Sequence, residues 1–257
     1  MLPATLIGCS SKSYFTADSA RAWFRIVTEG LAATPEGAED VFLCPSFPLI
    51  RDALDALRPL GGLVGAQDVS RFPAGAYTGE VSAELLAGMG ARFVMIGHPE
   101  RVKHLGEGPS DFAVKAEAAA EAGLVPILIV GEPERGADPE QIIRPQIDIA
   151  FGGISSDAPV IVAYEPTWAI GAAEPAPGDH VVGVVARIRE MLAERRGESR
   201  VLYGGSAGPG TFDAIAAAGR ERGDAAGIPD GVFLGRAGVD PRTFLATVAE
   251  VRAAVAA

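Results

Sequence analysis

Between residues 90 and 107 the chain reads GARFVMIGHPERVKHLGE, an apolar strand-like run that passes directly into His98, Glu100, Arg101, Lys103, His104 and Glu107. Polar or special residues also stand at the ends of other apolar runs: Ser10 and Lys12, Gln67, Glu132, Glu165, Gly204 to Ser206, and Gly235 with Arg236. A carboxylate, an imidazole and an ammonium gathered around one mouth suit removal of a proton from a carbon next to a carbonyl. The carboxylate takes the proton while the other two face the oxygen on which charge develops. Taken singly, each residue has an ordinary alternative. A lone histidine is more often structural, a carboxylate after a strand caps or pairs, and a lysine there is often simply exposed.

These residues converge only if the elements that carry them do. Eight apolar runs of strand length recur, at residues 4–9, 40–44, 62–66, 92–97, 124–130, 159–164, 200–204 and 231–235. Near-continuous Val, Ile and Leu without polar alternation marks parallel strands covered on both faces, and the gaps hold the dozen or more residues that a crossover helix needs. The spacing predicts an α/β fold, a closed (β/α)8 barrel forming one domain over residues 1–257, in which strand ends carry the chemistry. Ser110 is expected to cap a helix over 111–122 that Gly123 ends. Asp179 is expected to open a helix closed by Gly197, and Asp240 to cap one with Pro241 at its first position. Pro145 should kink or split the helix over 138–151, since it lacks an N–H and its ring crowds the preceding turn.

A net charge of -11 argues against a broad footprint for nucleic acid or an anionic membrane, which needs clustered Lys and Arg. A small phosphate ligand remains compatible, because backbone N–H groups at a helix start can hold it. The amino terminus, MLPATLIGCS, reads as a first strand and no long apolar span occurs, so a cytoplasmic protein is expected. Cys9 and Cys44 have no CxxC or Cys/His spacing and are expected as reduced, buried thiols; neither a metal nor a cofactor is anticipated.

The stretches GAYTGEVSAELLAGMGARFVMIGHPER, YEPTWAIG and LYGGS, in this order, resemble the signatures of the triosephosphate isomerase family. The resemblance runs from GCSSK at the first strand to FLGR and DP near the end. It implies an isomerase of a short phosphorylated sugar, interconverting glyceraldehyde 3-phosphate and glycerone phosphate through an enediolate. By the same resemblance, Glu165 is the base, His98 a neutral electrophile, Lys12 the substrate-binding cation and Glu100 its partner carboxylate. Arg101 and Glu107 are implied as a structural ion pair behind the site, whereas Lys103 and His104 read as a solvated edge. The segment Pro166, Thr167, Trp168, Ala169, Ile170, Gly171, Ala172, Ala173, Glu174, Pro175 and Ala176 resembles a lid, with Gly171 donating its N–H to phosphate and Tyr203 bracing the closed form. Ser10, Gly204, Gly205, Ser206, Gly235 and Arg236 resemble the rest of the substrate and phosphate cradle. Residues 65–80 resemble a loop that enters a neighbouring subunit, with Gln67 at its base and Thr78 completing the partner's site, which implies a homodimer.

Some family positions differ. Ser10 stands for the usual Asn, Ser11 for Trp, Pro99 for Ser, Arg236 for Gly, Ile129 for Cys, and Ala172, Ala173 and Glu174 for Thr, Gly and Lys. Shortening Asn to Ser removes an amide donor and opens space beside the substrate. Arg236 either reaches the phosphate edge or points to solvent. The departures resemble divergent members acting on four-carbon erythrulose phosphates in erythritol-type catabolism, which gives a second expectation for the substrate. A barrel kept as a binding protein with little catalysis is a third, disfavoured by the retained Glu165, His98 and Lys12. Phosphoribosyl or indole chemistry on another barrel is disfavoured by the order of the motifs.

Overall fold

A computed structural model describes residues 1–170 and 175–256. All eight expected strands are present: β1 (Leu6–Ser10), β2 (Val41–Cys44), β3 (Leu63–Ala66), β4 (Phe93–Ile96), β5 (Val125–Val130), β6 (Val160–Tyr164), β7 (Ser199–Tyr203) and β8 (Gly231–Leu234). They pair in parallel in sequence order and close as a barrel, Ile7 of β1 lying opposite both Val41 and Val232. Around them run α1 (Ala17–Ala32), α2 (Ile50–Leu57), α3 (Ala83–Met89), α4 (Pro99–Leu105), α5 (Pro109–Glu121), α6 (Pro139–Phe151), α7 (Gly178–Leu192), α8 (Thr211–Arg222) and α9 (Pro241–Ala256).

The unalternated strand sequences follow from burial on both faces. One apolar cluster fills the barrel, including Leu6, Phe42, Phe93, Ile127, Ile161, Leu202 and Phe233, and a second lies between sheet and helices. Phe42 packs against Phe93 and Phe233 at ring distances of 5.0 and 5.1 Å. Its ring occupies the space a side chain at Gly8 would need, since a Cβ there would sit 2.0 Å from Cζ of Phe42. This packed interior plugs the barrel below its mouth. Burial pushes the Cys9 and Cys44 thiols upward, so both remain protonated apolar packing groups. Among the described residues, no helix is long and apolar enough to cross a membrane.

The helices require three corrections, two at their ends and one within. The α5 helix begins at Pro109, with Gly108 rather than Ser110 as its cap; Asp111 takes the Gly108 N–H at 3.0 Å. The α7 helix starts at Gly178 and ends at Leu192, because Ala193 already caps it; Gly197 lies beyond it, its N–H donating to the Ser156 carbonyl at 2.8 Å. Pro145 lies within an uninterrupted α6, whose buried Ile143, Ile147, Ala150 and Phe151 hold one face on the core. Tertiary packing there outweighs one missing hydrogen bond. The expectation at α9 holds: Asp240 accepts from the N–H groups of Arg242 and Thr243 at 3.0 and 2.8 Å.

Candidate active site

The carboxyl ends of the strands surround a cavity of about 400 Å³ lined by Ser10, Lys12, His98, Glu100, Glu165, Gly204, Ser206, Gly235 and Arg236, with Ile170 and Pro175 at its edge. A second lobe of about 300 Å³ shares Ser10, Lys12, Met95, His98 and Glu100 with the first and extends toward Gln67, Arg101 and His104. The residues that sequence places at separate strand ends thus meet in one mouth, except Glu132, which is fully buried and lines neither lobe.

Ser10 is the last residue of β1 and is buried. Lys12 follows with a left-handed backbone, φ 46°, and Ser206 after β7 has φ 51°; these are the only non-glycine residues with positive φ among the described ones. Such backbones are costly unless their surroundings fix them. For Lys12 the fixing groups are visible: Ser46 Oγ donates to its carbonyl at 2.9 Å, and Gln67 Nε2 does so at 2.9 Å while reaching Ser11 Oγ and the Cys44 carbonyl. Gln67, anticipated only at the base of a dimer loop, therefore also braces Lys12 within its own chain. The Lys12 ammonium meets Glu100 Oε1 at 2.5 Å. Partial burial acts upward on Glu100, but the hydrogen bond and charge of Lys12 hold its carboxyl below the ordinary range.

His98 caps α4, and its Nδ1 accepts the Glu100 N–H at 3.1 Å. An accepting Nδ1 leaves Nε2 as the protonated, donating nitrogen. Burial, reinforced by the charge of Lys12, lowers its pKa to about 4 against the opposing pull of Glu100. The imidazole is neutral near pH 7.

Glu165 follows β6, its N–H donating to the Val130 carbonyl at 2.7 Å. Burial pushes its carboxyl up to about 7, with Lys12 opposing and Glu100 adding to the rise. The side chain lies against Gly204, where a Cβ would come within 2.5 Å of Oε1. Glycine at 204 thus leaves the space that the Glu165 side chain occupies. Similarly, a Cβ at Gly205 would meet Pro166 and Tyr203, and one at Gly235 would meet Lys12 Cε at 3.3 Å. Arg236 is exposed on the cavity rim and has no ion-pair partner among the described residues.

The segment after Glu165 is tied at both ends. On one side Ser206 Oγ donates to the Ala169 carbonyl at 3.0 Å, and Trp168 Nε1 donates to Glu132 Oε1 at 3.0 Å. On the other, the Ala176 N–H reaches Tyr203 Oη at 3.3 Å, where a brace is expected. Thr167 and Ile170 are exposed, and Ala169 is buried. Gly171, Ala172, Ala173 and Glu174 lie outside the described residues. Thr78 is exposed in a loop pinned by the Ser70 N–H to the Val81 carbonyl and by a stacked Phe72–Tyr77 pair, and it does not line its own chain's cavity.

Behind His98, Arg101 pairs with Glu107 at 2.6 Å as expected, but the pair belongs to a larger group. Asp68 joins Arg101 at 2.7 Å, and the buried Lys115 contacts both Asp68 and Glu107 at 2.6 and 2.5 Å. Neither Asp68 nor Lys115 stands out in sequence; a single lysine in an alanine-rich helix was the available signal. Lys103 and His104 are exposed. His180 also escapes a sequence reading, as an ordinary residue in the first turn of a surface helix.

Comparison with known proteins gives a consistent result. The family model described as triosephosphate isomerase matches residues 5–251. The chain is 37% identical to the L-erythrulose-1-phosphate isomerase of Pectobacterium atrosepticum over 258 aligned residues, covering 95% of this chain and 94% of that protein. It is 35% identical to the triosephosphate isomerase of Thermus thermophilus, covering 94% and 96% respectively. The crystal structure of triosephosphate isomerase from Bartonella henselae superposes with a TM-score of 0.77 at 27% identity, covering 98% of this chain and 100% of that one.

Proposed function

The chain belongs to the triosephosphate isomerase family, and from that premise we propose that it interconverts glyceraldehyde 3-phosphate and glycerone phosphate through an enediolate. One observation carries the reading: a neutral, donating His98 and a Glu165 whose proton affinity is raised to about 7 line the same cavity, with Lys12 as its cation.

In this reading the Glu165 carboxylate removes a proton from the carbon beside the carbonyl. His98 Nε2–H and the Lys12 ammonium face the oxygen as it becomes negative, and Glu165 returns the proton to the neighbouring carbon. One carbon is oxidised as its neighbour is reduced, so the reaction as written needs no external electron acceptor. The phosphate lies against Gly204, Gly205, Ser206 and Gly235, with Gly171 supplying a further N–H and Arg236 at the rim. Residues 166–176 act as a lid that keeps water from the enediolate.

A second reading, the same chemistry on a four-carbon erythrulose phosphate, has its own support. Ser10 is short and stands where the two lobes meet, and one of the relatives covering nearly the whole chain is named for that substrate. The deciding experiment compares kcat/KM on glyceraldehyde 3-phosphate and on erythrulose 1-phosphate. Preference for the triose supports the first reading; preference for the tetrulose assigns Ser10 and Arg236 to specificity.

A homodimer is part of the proposal. Tyr14, Tyr77, Leu85, Val102 and Leu105 are exposed large apolar residues on the segments after β1, β3 and β4, and Thr78 is exposed in the same segment as Tyr77. Apolar exposure of this kind is suited to association. Sedimentation giving a fully active monomer at dilute concentration would refute it.

A further inference from the structure

Glu132 stands after β5, is fully buried, and takes three donors on a single oxygen: His180 Nε2 at 2.7 Å, Tyr164 Oη at 2.8 Å and Trp168 Nε1 at 3.0 Å. Its other oxygen, also buried, has no partner among the described residues. The donors come from three places in the chain. Tyr164 ends β6, Trp168 follows the base residue Glu165, and His180 lies in the first turn of α7. Trp168 and His180 therefore bracket the segment whose Ile170 and Pro175 edge the cavity. Their rings also meet edge to face, 5.2 Å apart at 77°.

We propose that His180 is a positioning residue, which fastens the carboxyl-terminal foot of the lid to the same Glu132 oxygen that holds the amino-terminal foot through Trp168. The inference rests on the reading of residues 166–176 as a lid. A shared oxygen couples the two feet: displacing either changes the hydrogen bonding available to the other. Burial acts upward on the Glu132 carboxyl, but the hydrogen bonds led by His180 and Trp168 hold it below its ordinary range, so the anchor is an anion. The Nε2 of His180 must carry a proton to donate to it, whichever state Nδ1 adopts. His180 lines neither lobe of the cavity, and its side-chain hydrogen-bond partners are Glu132 and Tyr164 rather than the residues placed in proton transfer.

The lid's task gives a readout independent of how much enzyme is active. If the enediolate phosphate is exposed, its negative charge collapses, the C–O bond to phosphate breaks with the electron pair leaving on inorganic phosphate, and the remaining enol ketonises to an α-dicarbonyl. The measured quantity is inorganic phosphate released per isomerisation, for the wild type, His180→Phe and His180→Gln. Phenylalanine keeps a ring against Trp168 and removes the donor; glutamine keeps a donor near the Nε2 position. A charge-assisted hydrogen bond is worth about tenfold or more, so the ratio should rise about tenfold in H180F and stay within about threefold of the parent in H180Q. A residue that merely supports folding would change melting and active fraction but not this ratio.

Hydrogen exchange of the backbone amides in residues 167–176 provides a measurement that needs no turnover. Exchange should quicken in H180F, remain near the parent in H180Q, and leave the rest of the barrel unchanged. An unchanged phosphate ratio and unchanged exchange in H180F would overturn the inference, as would H180Q behaving like H180F. A wild type inactive on both triose and tetrulose phosphates would instead overturn the isomerase reading, with exchange still testing the tie.

Discussion

Gly204→Ala separates the position of Glu165 from the integrity of the fold. The added Cβ would lie 2.5 Å from Glu165 Oε1, 2.7 Å from Cγ and 3.0 Å from Cδ, and no other group outside its chain neighbours is among its three nearest atoms. Ordinary contact begins near 3.4 Å, so the carboxylate must retreat by roughly 1 Å. The obstacle is the far end of a side chain that borders an open cavity, and Gly204 does not occupy the left-handed region, so the barrel should yield at little cost in stability. Catalysis should suffer more, because a displacement of about 1 Å between reacting groups costs on the order of a hundredfold, or about 2.7 kcal/mol of transition-state stabilisation. The assay is kcat/KM on the better of the two sugar phosphates, beside a thermal melt of the same sample. A kcat/KM within about twofold of the parent in a folded protein would refute the placement of Glu165 as the base.

The raised carboxyl of Glu165 predicts that kcat/KM falls about tenfold per pH unit below about 7 as the base is protonated; a flat profile from pH 5 to 7 would contradict it. The same shift links to stability. Between the ordinary carboxyl value and about 7 the folded state holds a proton that the unfolded state has released, so this group lowers stability as pH rises through that window, and Glu165→Gln should raise the melting temperature more at pH 8 than at pH 4, checked by paired melts. Lys115→Met leaves Asp68 and Glu107 with one cation fewer in a largely buried group, and should cost about 3–5 kcal/mol in urea unfolding. A loss below about 1 kcal/mol would show that Arg101 alone satisfies both carboxylates.

What could be read in advance divides by the range of the physics involved. All eight strands were legible because burial on both faces leaves a continuous apolar run, and the strand ends marked Lys12, His98 and Glu165 for the same reason. Helix boundaries were less so: Gly108 and Ser110 are both plausible caps, and only Asp111 reaching back to Gly108 decides between them. Pro145 stayed within a helix because the buried face around it is set by distant residues. Asp68, Lys115 and His180 were illegible as site neighbours, since each acquires its role from a partner 8 to 48 positions away in sequence. The duty of Gly204 toward Glu165 was hidden similarly: a loop glycine looks alike whether it approaches a phosphate or makes room for a carboxylate.

One cause, removal of water, prepares both central groups of the site, in opposite directions. Burial penalises charge, and imidazole is charged when protonated whereas carboxyl is charged when not, so His98 falls to about 4 and Glu165 rises to about 7. For the carboxyl the result is a stronger base than an exposed glutamate, with a proton affinity matched to neutral pH. For the imidazole it is a hydrogen-bond donor that remains neutral beside the Lys12 charge. Glu100 moderates the arrangement. It pairs with Lys12, donates its N–H to His98 and raises Glu165, so one residue at the first turn of α4 bears on all three groups. The proton affinity of the carboxyl after β6 is thus set first by burial, with Glu100 of the cluster after β4 adding to the rise from across the mouth and far away in sequence.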